Sequence, residues 1–286
     1  MLAWGSGNYV EVPDGATVAD LEPELSLFET FALRQGRVEC LSDHFARLAL
    51  ACPRLGLNPA RLYLGAGPTR DRWAPILQKL LAAAQLTDAI VRLIVKMRSD
   101  VLAHEWLTVR PLPPTPLGID LFSIETWRDP PEWYPRPKSG PWANSARGLK
   151  ELKKVADRPD AEAVQFALNN RLSEGTRSSL AWWADGAWHF PDPLTCYCIP
   201  GTAAAQFRSV VQQAGREVRE VAVPFPANAL SMVVLRSTFA GGAVLARNYF
   251  SRRGEVAWQA AAEQPEATAR LAELAAWRAQ RSVSLL

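Results

Sequence analysis

The stretch RPKSGPWANSARGLKELKK runs from Arg136 to Lys154 and holds four lysines in two settings. Lys138 stands between Pro137 and a Ser-Gly-Pro turn, where the backbone is tightly constrained. Lys150, Lys153 and Lys154 follow on a segment with helical spacing, from Ala143 to Val155, and read as a solvated helix face. A lysine that only meets water can sit anywhere. One that must aim its amine at a carbon atom needs a fixed backbone. The local residues leave both readings of Lys138 open.

Working outward, the stretch follows two proline-rich passages, RPLPPTPLG and RDPPEWYPRPKSGP. The first is a stiff, extended connection near residues 110–118, and it marks a boundary between an N-terminal domain, 1–112, and a C-terminal domain, 113–286. Before it, SLFETFALRQGRVECL reads as two strands around the turn RQGR. Ser42 then reads as the N-cap of a helix with Phe45, Leu48, Ala49 and Cys52 on one face, interrupted at Pro53. A second helix is predicted over residues 71–85, and strands in DAIVRLIVKMRS and EWLTVRPLP. Beyond the lysine helix, strands are predicted in AEAVQFALN, SSLAWWADGAWHF, LTCYCIP, REVREVAVPF and SMVVLRSTFAGGAVLARNYF. TAAAQFRSVVQQAG and PEATARLAELAAWRAQRS read as helices. Strands and helices mix in both halves, which predicts two α+β or α/β domains.

Composition narrows the function. The 286 residues are 48% hydrophobic and 21% charged, which suits a soluble globule with a sizeable core. A net charge of +3 with no basic block argues against nucleic acid, and the SRRG cluster near Arg252 reads as a surface loop. No run of about 18 apolar residues is present to span a membrane, and the first residues lack a signal-peptide pattern. Cys40, Cys52, Cys196 and Cys198 form no CxxC pair and no zinc spacing, so they read as buried thiols in a reducing compartment, with the cytoplasm as the default location. Cys196 and Cys198 would face one side of a strand. His44, His104 and His189 show no pairing pattern, and no metal site is proposed.

Four motifs then occur in a telling order: LFETFALRQGR…LSDHFARL (Leu27 to Leu48), KSGPWANS (Lys138 to Ser145), LSEGTRSSL (Leu172 to Leu180) and CIPGTAAAQF (Cys198 to Phe207). Together they resemble the class IV aminotransferases, pyridoxal-phosphate (PLP) enzymes of fold type IV. That family includes branched-chain aminotransferase, D-amino acid aminotransferase and aminodeoxychorismate lyase. The resemblance covers about residues 25 to 250 and implies a two-domain fold with PLP in the cleft between the domains.

The resemblance also implies roles. KSGPWANS is similar to the family's Lys-x-Gly-Gly-Asn-Tyr-Ala-Asn-Ser segment, shortened by one residue, so Lys138 matches the lysine that forms an imine with the cofactor aldehyde and moves a proton at the substrate's α-carbon. Glu174 matches the carboxylate that partners the cofactor's ring nitrogen. Arg47 matches the phosphate arginine. Gly201, Thr202 and Ala203 open a helix whose backbone N–H groups suit the phosphate, and Ser237 and Thr238 resemble a second phosphate-contacting turn. Phe28 and Trp142 stand where tyrosines are usual and belong to the substrate pocket. The implied reaction is amino-group transfer between an amino acid and a 2-oxo acid. Aminodeoxychorismate lyase activity is one alternative, favoured by FETFALRQGR and the compact length, and a non-catalytic PLP-binding scaffold is another, favoured by the departures at Ser179 and Ala204. The family's sites lie near subunit boundaries, so a homodimer is expected. The eleven tryptophans, several of them in WRDPPEWY and AWWADGAW, offer weak independent support.

Overall fold

A computed structural model describes residues 1–13, 25–99, 102–131, 136–140 and 143–286. They form two compact units: unit 1 comprises Met1–Pro113, Pro137–Trp142 and Arg278–Leu286, and unit 2 comprises Pro114–Arg136 and Ala143–Trp277. The chain first crosses at Pro113–Pro114, inside the first proline cluster. It returns to unit 1 twice, so Lys138, which falls within residues 113–286, is built into unit 1.

Unit 1 is an antiparallel sheet with two helices. Its strands are β1 (Leu2–Gly5), β2 (Asn8–Glu11), β3 (Ser26–Leu33), β5 (Ala89–Ser99), β6 (Leu102–Pro111) and β8 (Ser139–Gly140), in the order β2-β1-β6-β5-β3-β8. The RQGR turn closes through an Arg34–Arg37 bridge, but β4 (Arg37–Glu39) pairs with β17 (Ser282–Ser284) while β3 takes β5 as its long partner. β3 is buried throughout, and Leu27, Phe31 and Leu33 join the core formed with α1 (Leu41–Ala51) and α2 (Arg70–Ala84). Trp73 of α2 is fully buried there against Phe31 and Phe45. α1 begins at Leu41 after Cys40 in a left-handed conformation, so Ser42 lies inside the helix rather than capping it. After Ala51 the chain tightens into a 3₁₀ turn, Cys52–Leu55, that accommodates Pro53.

Unit 2 is a mixed sheet of β7 (Ile119–Ser123), β9 (Ala161–Ala167), β10 (Arg171–Gly175), β11 (Ser179–Ala184), β12 (Ala187–Pro191), β13 (Glu217–Val221), β14 (Ser231–Leu235), β15 (Ala243–Phe250) and β16 (Val256–Gln259). The order is β10-β9-β7-β15-β14-β11-β12-β13, with β16 on β15. The parallel pairs are β7–β9, β7–β15 and β12–β13. α4 (Thr202–Gln213) and α5 (Pro265–Ala279) cover a core containing Trp188, Phe207, Val210 and Leu274. α3 (Ala143–Val155) packs through Leu152 on Ile124, Ala161 and Ala163. Gly148 allows that approach, since a Cβ there would stand 2.6 Å from Ile124 Cδ1 and 2.8 Å from Thr176 Cγ2. Lys150, Lys153 and Lys154 are exposed on the outer side of α3.

One predicted strand is absent. LTCYCIP is a turn followed by an irregular segment, because Tyr197 is left-handed with φ 59°. That turn sends the two thiols apart: Cys196 Sγ approaches Val221 O and Cys198 Sγ approaches Ser173 O. All four cysteines are free and buried.

Candidate active site

In unit 1, three of the predicted residues gather around β3. β8 pairs with β3, and the Lys138 carbonyl accepts the Phe28 N–H at 3.0 Å, which fixes the lysine backbone at the sheet edge. The Lys138 Nζ lies 5.3 Å from the centroid of the buried Phe28 ring. The alternation of β3 sends Phe28 to the face with Ile94 and Trp106, and sends Glu29 to the face that packs on α1. There Arg47 donates from Nε to Glu29 Oε1 at 2.7 Å and from Nη2 to Oε2 at 2.5 Å, while His44 Nδ1 meets Oε2 at 2.8 Å. Burial pushes the Glu29 carboxyl up, but the Arg47 charge and the hydrogen bonds from His44 and Arg47 outweigh it and hold Glu29 well below the usual carboxylate range; Lys138 adds to this. Burial pushes the His44 imidazole down.

In unit 2, the other predicted residues come together through short contacts. Glu174, next to last in β10, is buried; its Oε2 accepts the Ile199 N–H at 3.2 Å. Arg128 Nη2 lies 2.5 Å from Glu174 Oε1, yet neither atom makes an aligned hydrogen bond among the described residues. Burial pushes the Glu174 carboxyl up; the Arg128 charge, the Ile199 bond and the Arg136 charge oppose this but do not outweigh it, so the carboxyl stays above the usual range. Two residues beyond Ile199, Gly201 precedes α4 with no side-chain cap, and Thr202 and Ala203 are buried at the helix start. The first N–H groups of a helix have no intrahelical acceptor, so this end suits an anion. A Cβ on Gly201 would lie 2.4 Å from Ser179 Oγ, so the Glu174–Ser179 turn presses directly on the start of α4.

The turn of Ser237 and Thr238 is tied in by Glu162, whose side chain is fully buried. Glu162 accepts from Thr176 Oγ1 and from the Arg177 N–H, both at 2.9 Å, and pairs with Arg236. Burial raises this carboxyl, but Arg236 and Arg177 outweigh it and hold it low. One carboxylate thus fastens the segment after Glu174 to the segment before Ser237.

Trp142 lies outside the described residues. Sequence reasoning missed Glu29, Arg128 and Glu162. A signal existed for the two glutamates, each the one charged residue of an otherwise uncharged strand, SLFETFAL and AEAVQFA. An acid inside such a strand must find a buried partner. Arg128 carried no signal, because its partner is far away in sequence. Among the described residues, no group of three or more His, Cys, Asp or Glu could hold a metal ion, and no helix is long and apolar enough to cross a membrane.

Against known proteins, the class IV amino-transferase profile matches residues 26–239. A search of curated protein sequences returns no match. Among solved structures, the chain is similar to branched-chain aminotransferase from Thermoproteus uzoniensis with norvaline, at 15% identity and TM-score 0.74 over 100% of this chain and 99% of that one. It is also similar to 4-amino-4-deoxychorismate lyase from Pseudomonas aeruginosa, at 24% identity and TM-score 0.66 over 91% and 94%. The PLP-bound form of a hypothetical aminotransferase from Mycobacterium tuberculosis matches at 15% identity and TM-score 0.69 over 98% and 99%. The chain belongs to the class IV aminotransferase family, whose members are PLP-dependent enzymes, and its fold is the type IV fold expected from the motifs.

Proposed function

We propose that the chain transfers an amino group between an amino acid and a 2-oxo acid, with PLP as cofactor. The observation that carries this reading is the meeting in unit 2 of a buried carboxylate oxygen, Glu174 Oε1, that lacks a hydrogen bond, with an uncapped helix start at Thr202. A ring N–H and a phosphate on one small molecule would satisfy both. When bound, PLP supplies an electron sink for charge developing at the substrate's α-carbon.

The residues divide the remaining work. Lys138 holds the cofactor covalently and takes and returns the proton at the α-carbon. A free lysine titrates near ~10.4, so the site must lower that value for this task. Glu174 keeps a proton on the ring nitrogen. The N–H groups of Thr202 and Ala203, with Ser237 and Thr238, bind phosphate. Arg47, held by Glu29 through Nε and Nη2, also binds phosphate. Phe28 and Trp142 bound the substrate pocket. A second reading, elimination of pyruvate from aminodeoxychorismate, is supported by the FETFALRQGR segment and by the presence of a lyase among structures of the same fold. We infer also a cytoplasmic homodimer.

The test is chemical. Borohydride reduction of the PLP-loaded protein, followed by peptide mapping, is expected to leave the label on Lys138. Label on Lys150 or Lys96 overturns the lysine assignment, and absence of PLP binding overturns the cofactor reading. Absorbance changes with an amino acid and 2-oxo acid pair, but not with aminodeoxychorismate, support the transferase. The reverse supports the lyase.

A further inference from the structure

We propose that Arg128 is a positioning residue, whose guanidinium keeps the buried Glu174 carboxylate ionised and so lets it hold a proton on the group it faces. This rests on the reading of Glu174 given above. The Arg128 side chain is 1% exposed and that of Glu174 6%, so water screens their 2.5 Å contact very little. Taken out of water alone, a carboxylate neutralises. Backbone support for Glu174 is slight: the Ile199 N–H, at 3.2 Å, donates to Oε2. Its charge therefore depends on the cations that face it.

Those groups are few. Arg128 is in contact. Arg136 adds a second charge, but donates to Asp129 O and Tyr197 O, and burial followed by the Arg128 charge pushes it down to about 10. The Cys198 thiol is pushed well up by burial and by Glu174 itself, so it stays neutral beside the carboxylate. Arg128 is also fixed from behind, since its own N–H donates to Phe166 O at 2.8 Å, on β9. A guanidinium suits the post because it does not deprotonate where a buried ammonium can. A neutral Glu174 already carries its proton and could not draw another group's proton toward itself. Arg128 thus sets the charge state on which the role of Glu174 depends, without touching substrate.

Infrared difference titration of the full chain tests this, in PLP-loaded and PLP-free forms, with Glu174→Gln identifying the Glu174 band. In wild type we expect the carboxylate form at neutral pH. In Arg128→Met the midpoint should rise by about one to three pH units, and Arg128→Lys should recover only part of the shift. The visible absorbance of the loaded protein should move its pH profile in step. An unchanged midpoint in Arg128→Met overturns the proposal. So does a protonated Glu174 in wild type at neutral pH, a result that needs no variant to fold. The PLP-free arm decides the point even if the cofactor reading fails, which the borohydride labelling decides separately.

Discussion

Glu29 shows how much one side chain can organise. It is the single acid of β3; Arg47 of α1 bonds both of its oxygens, and His44 shares one of them. Replacing it with glutamine would leave the Arg47 charge in a partly buried place without its counter-charge. We expect Glu29→Gln to cost about 3 kcal/mol in denaturant unfolding near neutral pH. The sign with pH follows from the lowered carboxyl of the folded state. Glu29 stabilises the fold above the ordinary carboxylate range, and that contribution fades as pH falls through it, because the unfolded chain takes up the proton first. The gap between wild type and variant should therefore narrow on acidification; a gap that is constant down to strongly acid pH would show that the charge is not what matters. The positions of Lys138, Glu174 and Arg47 stood out as motifs. The partners of those residues did not, because an ion pair such as Glu174–Arg128 joins positions whose separation no local pattern encodes.

At the scale of elements, the α4 start carries the clearest dependence. Gly201 has φ −66°, so alanine there is free of backbone strain, and the only obstacle is Ser179 Oγ. We expect Gly201→Ala to lower stability by about 1 kcal/mol and to weaken PLP binding, and Ser179→Ala to restore both in the double variant. Fluorescence titration with PLP and thermal melts of the four proteins form the cycle; additive losses would refute the contact. The helix α3 was predicted and found over Ala143–Val155, although its buried side is small, made of Ser145, Gly148 and Leu152. LTCYCIP was misread as a strand because its residues suit one, while the left-handed backbone of Tyr197 that breaks it has no signature in its residue type. The start of α1 was misplaced by two residues, since Cys40 and not Ser42 stands at the cap position.

At the scale of the molecule, a homodimer is the expectation that a mass measurement decides. Trp182 and Trp188 of the AWWADGAW stretch are interior to unit 2, whereas Trp127 is 41% exposed with Arg252 over its ring. Sedimentation at micromolar concentration should give twice 31.5 kDa; an active, PLP-carrying species of 31.5 kDa rules the dimer out. The proline-rich connection was visible in sequence, but the returns to unit 1 were not, since the pairing of β8 and β17 rests on a few residues each. The second return has a consequence for biosynthesis. Arg278–Leu286 supplies β17, the Arg278–Glu39 ion pair and the buried Leu285, and all of them leave the ribosome after unit 2. The half of the protein that is translated first is therefore the half that must wait, with the edge of β4 unpaired, until the other has been made.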